Sequence, residues 1–105
     1  MKDQYKTDVI FRVDTTKDFK GQVFAVLPHN VDNYRGDVTT YQHVGQHSSG
    51  DYGVCIKTSR LAKENEYNDL KKEMENHFGY NLNIMKRRNY DKYLREYKSV
   101  NGWKN

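Results

Sequence analysis

Two clusters of side chains in this chain have the types and spacing that chemistry asks for. The first is Tyr41-Gln42-His43-Val44-Gly45-Gln46-His47-Ser48-Ser49-Gly50-Asp51-Tyr52. It offers two imidazoles and a carboxylate at steps of four residues. On a helix, His43 and His47 would share a face as metal ligands. The flanking pattern instead reads as a strand end entering a loop, and no third His or Cys stands nearby, so no metal is assigned. His43 with Asp51 would make an acid–base pair, since a carboxylate orients an imidazole. A plainer role competes with both. The glycines permit a tight turn, and His, Ser and Asp side chains cap the backbone groups that a turn exposes. Tyr41, His43, His47 and Asp51 are therefore a candidate polar site, with no catalytic residue and no cofactor expected.

The second cluster is cationic. Seven of the eighteen Lys and Arg lie in residues 85–105: Lys86, Arg87, Arg88, Lys92, Arg95, Lys98 and Lys104, opposed only by Asp91 and Glu96. This stretch carries +5 and the other 84 residues carry −1, so the formal +4 of the chain is local. Tyr90, Tyr93, Tyr97 and Trp103 are interleaved with the charges. A basic, ring-bearing segment attracts anions and offers rings to stack on bases or to anchor a protein contact. The expected binding residues are Lys86, Arg87, Arg88, Tyr90, Lys92, Tyr93, Arg95, Tyr97 and Trp103. The competing role is structural. Lys86-Arg87-Arg88 would be a solvated strand end, and the tyrosines the inner face of a packed helix.

Composition bounds what can hold these groups. At 105 residues the chain reads as one domain, with residues 99–105 a tail expected to fray. The hydrophobic share is 35% and the charged share 30%, so the core must be small and rich in rings. Nine tyrosines suit that, because a Tyr ring packs while its hydroxyl stays wet. The one cysteine, Cys55, has no internal partner and reads as a small core residue in a reducing compartment. No apolar run is long enough to span a membrane, and Met1 to Lys6 lacks the apolar core of a signal peptide. The expectation is a cytoplasmic protein. The pI near 9.1 favours an anionic partner.

The pattern then places the elements. Val9, Phe11 and Val13 alternate with Asp8, Ile10 and Arg12, as in a half-buried strand. Gln22 to Leu27 is a second strand, joined to the first as a loose hairpin and stopped by Pro28. His29 reads as a turn residue. Val38 to Val44 is a third strand, with Tyr41 and His43 on one face. Gly45 to Gly53 is a loop, and Val54-Cys55-Ile56 a short strand or edge. Glu64 to Phe78 is the clearest helix, with Tyr67, Leu70, Met74 and Phe78 on one stripe and Gly79 closing it. His77 suits the negative end of that helix. Asn81 to Arg87 is a strand and Asn89 to Lys98 a short amphipathic helix. The expected fold is α+β: a small antiparallel sheet of three to five strands, one main helix on a face, and a short C-terminal helix. No phosphate-cradling loop is present, because Gly45, Gly50 and Gly53 lack a following helix start and Lys.

From Val9 to about Tyr93 the order of motifs resembles a family of small proteins of phages and other bacterial mobile elements. The matching pieces are Val9 to Arg12, Val23 to Pro28, Tyr41-Gln42-His43-Val44-Gly45-Gln46-His47, Asp51-Tyr52, Glu66 to Lys71 and Gly79 to Arg87. In such proteins a Thr-Pro pair usually opens the helix; here Lys63-Glu64 takes that place, and Lys cannot cap a helix. The resemblance transfers no catalytic residue. It implies a setting in the host bacterial cell, where such proteins bind host macromolecules, including immune effectors such as CRISPR nucleases. The expected function is thus a non-enzymatic phage-type protein that binds a host protein or ribonucleoprotein, with anti-CRISPR-like inhibition of a defence system as the implied role. The alternatives are direct RNA or DNA binding by the basic segment, and a small enzyme or metal site at His43, His47 and Asp51.

Overall fold

The computed structural model describes residues 6–42 and 46–102. Six strands and three helices follow in the order β1 (Thr7–Asp14), β2 (Val23–Val31), β3 (Val38–Gln42), β4 (Gln46–Gly50), α1 (Tyr52–Lys57), β5 (Ser59–Leu61), α2 (Glu64–Phe78), β6 (Leu82–Ile84) and α3 (Tyr90–Val100). The sheet order is β4-β3-β2-β1-β5, and all these pairs are antiparallel. The far edge of β1 is shared. Its C-terminal half pairs with β5, and its N-terminal half pairs in parallel with β6. The fold is α+β as expected, with one strand more than the upper expectation.

The sheet is covered on both faces. α2 lays Leu70 and Met74 on Val9, Phe11, Ala25, Leu27 and Tyr41, with Tyr67 stacked on Phe11 at 4.5 Å. On the other face Tyr52 and Cys55 of α1, Met85, and Tyr93 of α3 pack on Ile10, Phe24, Val26 and Val38. This second layer corrects the half-buried reading of β1, in which every residue from Val9 to Val13 is buried. Arg12, which suggested a wet face, turns inward. Its guanidinium donates to the carbonyls of Ile56 and Ser59 and to the Ser59 hydroxyl, closing the C-terminal end of α1. Burial lowers its pKa.

Four further expectations change. Pro28 does not end β2, which runs on to Val31. The β2–β3 register slips between Leu27 and Val31, an irregularity that tolerates a residue with no N–H to give. His29 is therefore a buried strand residue, not a turn. Gln46 to Gly50, read as loop, forms β4, so β3 and β4 make a hairpin. Val54-Cys55-Ile56, read as a strand for its β-branched residues, lies in α1. Asp51 caps that helix by accepting from the Val54 N–H at 3.0 Å, and this outweighs local propensity.

α2 keeps the expected bounds. Lys63 makes no side-chain bond at its start; instead the Glu66 carboxylate accepts the Lys63 backbone N–H at 2.8 Å, which is half of a capping box. Gly79 closes the helix in the left-handed conformation (φ 69°). Among the described residues no helix is long and apolar enough to cross a membrane.

Candidate functional site

The fold separates the two sequence clusters and gives them different fates. In the first, Tyr41 is a core residue with a fully buried ring, and its hydroxyl donates to Glu73. His47 lies exposed on the same side, packed against Tyr41 (4.7 Å) and Phe78 (5.1 Å), with Nε2 3.1 Å from the Tyr80 hydroxyl. Burial raises the pKa of that phenol. Asp51 is committed to the α1 cap. His43 lies outside the described residues, so its pairing with Asp51 is not on view. Among the described residues no group of three or more His, Cys, Asp and Glu is placed to hold a metal ion. Cys55 is half-buried, and burial followed by the charges of Asp51 and Asp37 raises its thiol pKa, which suits packing rather than nucleophilic attack.

The second cluster forms the corner between β6 and α3. β6 is held by its parallel pairing with Thr7, Asp8 and Val9 and by the Met85 N–H on the Val9 carbonyl. The chain then turns through Lys86 and Arg87, both exposed. Arg88 turns back. Its guanidinium carbon lies 4.2 Å from the Tyr93 ring centroid, 4.3 Å from that of Tyr52 and 5.3 Å from that of Tyr90. Its backbone N–H donates to the Tyr52 hydroxyl at 3.1 Å. Arg88 thus ties the corner to α1 by cation–π contacts. Asn89 follows and caps α3, accepting from the Lys92 N–H at 3.1 Å.

α3 docks through its rings. Tyr93 and Tyr97 stack at 6.2 Å, and the Tyr93 hydroxyl donates to the Gly36 carbonyl at 2.8 Å. Gly36 has φ +91°, and a Cβ there would meet the Tyr93 hydroxyl and lie 3.2 Å from the Tyr97 ring. Lys92 pairs with Asp8 at 2.5 Å. The nine sequence-predicted binding residues therefore divide. Arg88, Lys92, Tyr93 and Tyr97 serve the packing of the corner: the two tyrosines form the inner face of the helix, as the competing role had it, whereas Arg88 is not a solvated strand end but lies on the Tyr52 and Tyr93 rings, and Lys92 is paired with Asp8. Lys86, Arg87, Arg95 and Lys98 are exposed and make no ion pair among the described residues, and Tyr90 is 56% exposed. Trp103 lies outside the described residues. Met85 to Asn89 line an open depression of about 460 Å³, and Ile84, the residue before them in the chain, is 40% exposed.

Beneath the corner lies a polar centre that sequence reasoning missed. The Asp8 side chain is 8% exposed and takes three partners from three elements. His29 Nδ1 of β2 lies 2.8 Å from its Oδ2, Lys92 Nζ of α3 reaches the same oxygen, and Asn83 Nδ2 of β6 donates to Oδ1 at 2.9 Å. Burial alone would raise the Asp8 pKa. The hydrogen bonds from Lys92, Asn83 and His29 outweigh it and hold the carboxyl at about 2. His29 Nε2 in turn accepts the backbone N–H of Asn89 at 2.8 Å. A cleft of about 200 Å³ opens over this centre, lined by Lys6, Thr7, Asp8, His29, Asn30, Lys92 and Glu96. The only sequence signal was a carboxylate heading an apolar strand; His29, read as a turn residue, gave none.

Comparison of the chain with family models, with curated proteins and with solved structures finds no match.

Proposed function

We propose that this protein is a non-enzymatic binding module whose β6–α3 corner docks on an acidic face of another protein. One observation carries the reading. Lys86 and Arg87 stand exposed and unpaired among the described residues and line an open depression, and Ile84 and Tyr90, which bracket its lining residues in the chain, are exposed as well. Cations beside a ring and an aliphatic side chain are the composition of a protein contact. A single-strand nucleic-acid platform asks for several free rings in succession, and the two inner tyrosines of α3 are engaged in packing. The resemblance of the Tyr41 to His47 motif to small phage and mobile-element proteins supports a host protein as the partner, and inhibition of a bacterial defence system as the outcome.

The test is affinity capture on the immobilised protein from bacterial lysate, with and without nuclease. A partner that stays bound after nuclease supports the reading. Loss of capture on nuclease treatment contradicts it and favours RNA or DNA. The corner pair is then tested as described below.

A further inference from the structure

We infer that His29 is a proton-operated latch on the first turn of α3. His29 is 7% exposed, and both of its ring nitrogens are in use. Asp8, held at about 2, is an acceptor only near neutrality, so Nδ1 must carry the proton that bridges to it. That leaves the lone pair on Nε2, and the Asn89 N–H points at it from 2.8 Å. The neutral imidazole is thus fixed in one tautomer as a donor on one side and an acceptor on the other.

A second proton has only Nε2 to occupy, where it would face the Asn89 N–H head-on. The groups around the ring decide what yields. Asp8 of β1 attracts the imidazolium. Lys92 of α3 repels it, because its ammonium already sits on the same Asp8 oxygen. Glu96 of α3 and Lys6 line the cleft with opposite charges, while Asn83 of β6 and Asn30 of β2 are neutral. The Asp8 contact is retained by either charge state of the ring; the Asn89 contact is retained by the neutral state only. Protonation therefore releases Asn89, which caps α3 and adjoins Arg88, and loosens the β6–α3 corner while β1, β2 and α2 stay folded. The consequence for partner capture rests on the docking reading above, but the latch itself is a property of the free protein.

The experiment is amide exchange by NMR on the full chain, with pH lowered stepwise until the His29 nitrogen shifts report protonation of Nε2. Protection factors are compared at Asn89 and at Leu70 in the core, and His29 nitrogen shifts are followed in parallel. The expected result is a loss of Asn89 protection by about tenfold, the worth of one hydrogen bond, coinciding with Nε2 protonation and leaving Leu70 unchanged. His29→Gln keeps a donor and an acceptor at similar spacing but does not titrate, so it should abolish the change. Constant Asn89 protection through Nε2 protonation would overturn the latch, as would an equal loss at Leu70 or in a folded His29→Gln. Should that variant fail to fold, the coincidence of the two wild-type titrations decides alone. Loss of partner binding in corner variants bears only on the docking reading.

Discussion

Asp8 shows how one side chain joins four elements, since its partners draw β2, β6 and α3 to β1. Its acid behaviour follows from its depressed pKa. Held at about 2 against an ordinary 3.8, the folded carboxyl binds fewer protons than the unfolded one. The stabilisation, about 2 kcal/mol, is full above the unfolded value and is lost as pH falls through about 2. Asp8→Asn should therefore lower stability near neutrality and flatten its pH dependence below about pH 4, measured by urea unfolding at stepped pH. Arg88 makes a second residue-scale prediction. Losing its contacts with three tyrosines, Arg88→Ala should cost about 1–2 kcal/mol. Lys86→Ala and Arg87→Ala, which are exposed, should each stay within about 0.5 kcal/mol of wild type in the same assay.

Among the elements, α3 is the one whose seat is most closely specified. Gly36 supplies both a left-handed backbone and the space that the Tyr93 hydroxyl fills. Gly36→Ala should cost more than about 1 kcal/mol through strain and displaced rings, and should lower amide protection in α3 before α2. The opposite sign is expected at the start of α2, where Lys63→Ser adds an acceptor to a vacant cap and should raise stability by about 1 kcal/mol. The long amphipathic helices were legible in the sequence because their periodicity is set by the core they cover. Tyr67, Leu70 and Met74 announce α2, and Tyr93 and Tyr97 announce α3. Of the short elements, α1 and β5 were not legible, and β6 was legible only as a longer strand, Asn81 to Arg87. α1 is decided by the Asp51 cap and by Arg12 arriving from 44 residues away, and β5 and β6 are three-residue strands that exist only because β1 offers an edge. The candidate site was legible in its free cations, Lys86 and Arg87. The tethering of Arg88 and Lys92 was hidden, since their partners Tyr52 and Asp8 lie far off in sequence.

At the scale of the whole molecule, the packing of α1 and α3 on one sheet face and α2 on the other decides which charges are spent within the fold. α2 pairs Glu66 with Arg60 and Lys71 with Glu75, and the Arg60 guanidinium followed by the Lys63 N–H holds the Glu66 carboxyl at about 2. The corner of β6 and α3 instead keeps Lys86 and Arg87 outside any such pair among the described residues. A positive patch of this kind steers an acidic partner and raises its on-rate, with an effect that weakens as salt is added. The most direct measurement is the affinity of a partner retained after nuclease treatment, once purified, for wild type and for the Lys86→Ala/Arg87→Ala double variant, beside the melting temperature of each. A contact at this corner implies a loss of about tenfold or more in affinity with an unchanged melting temperature. Equal affinities at equal stability would contradict it.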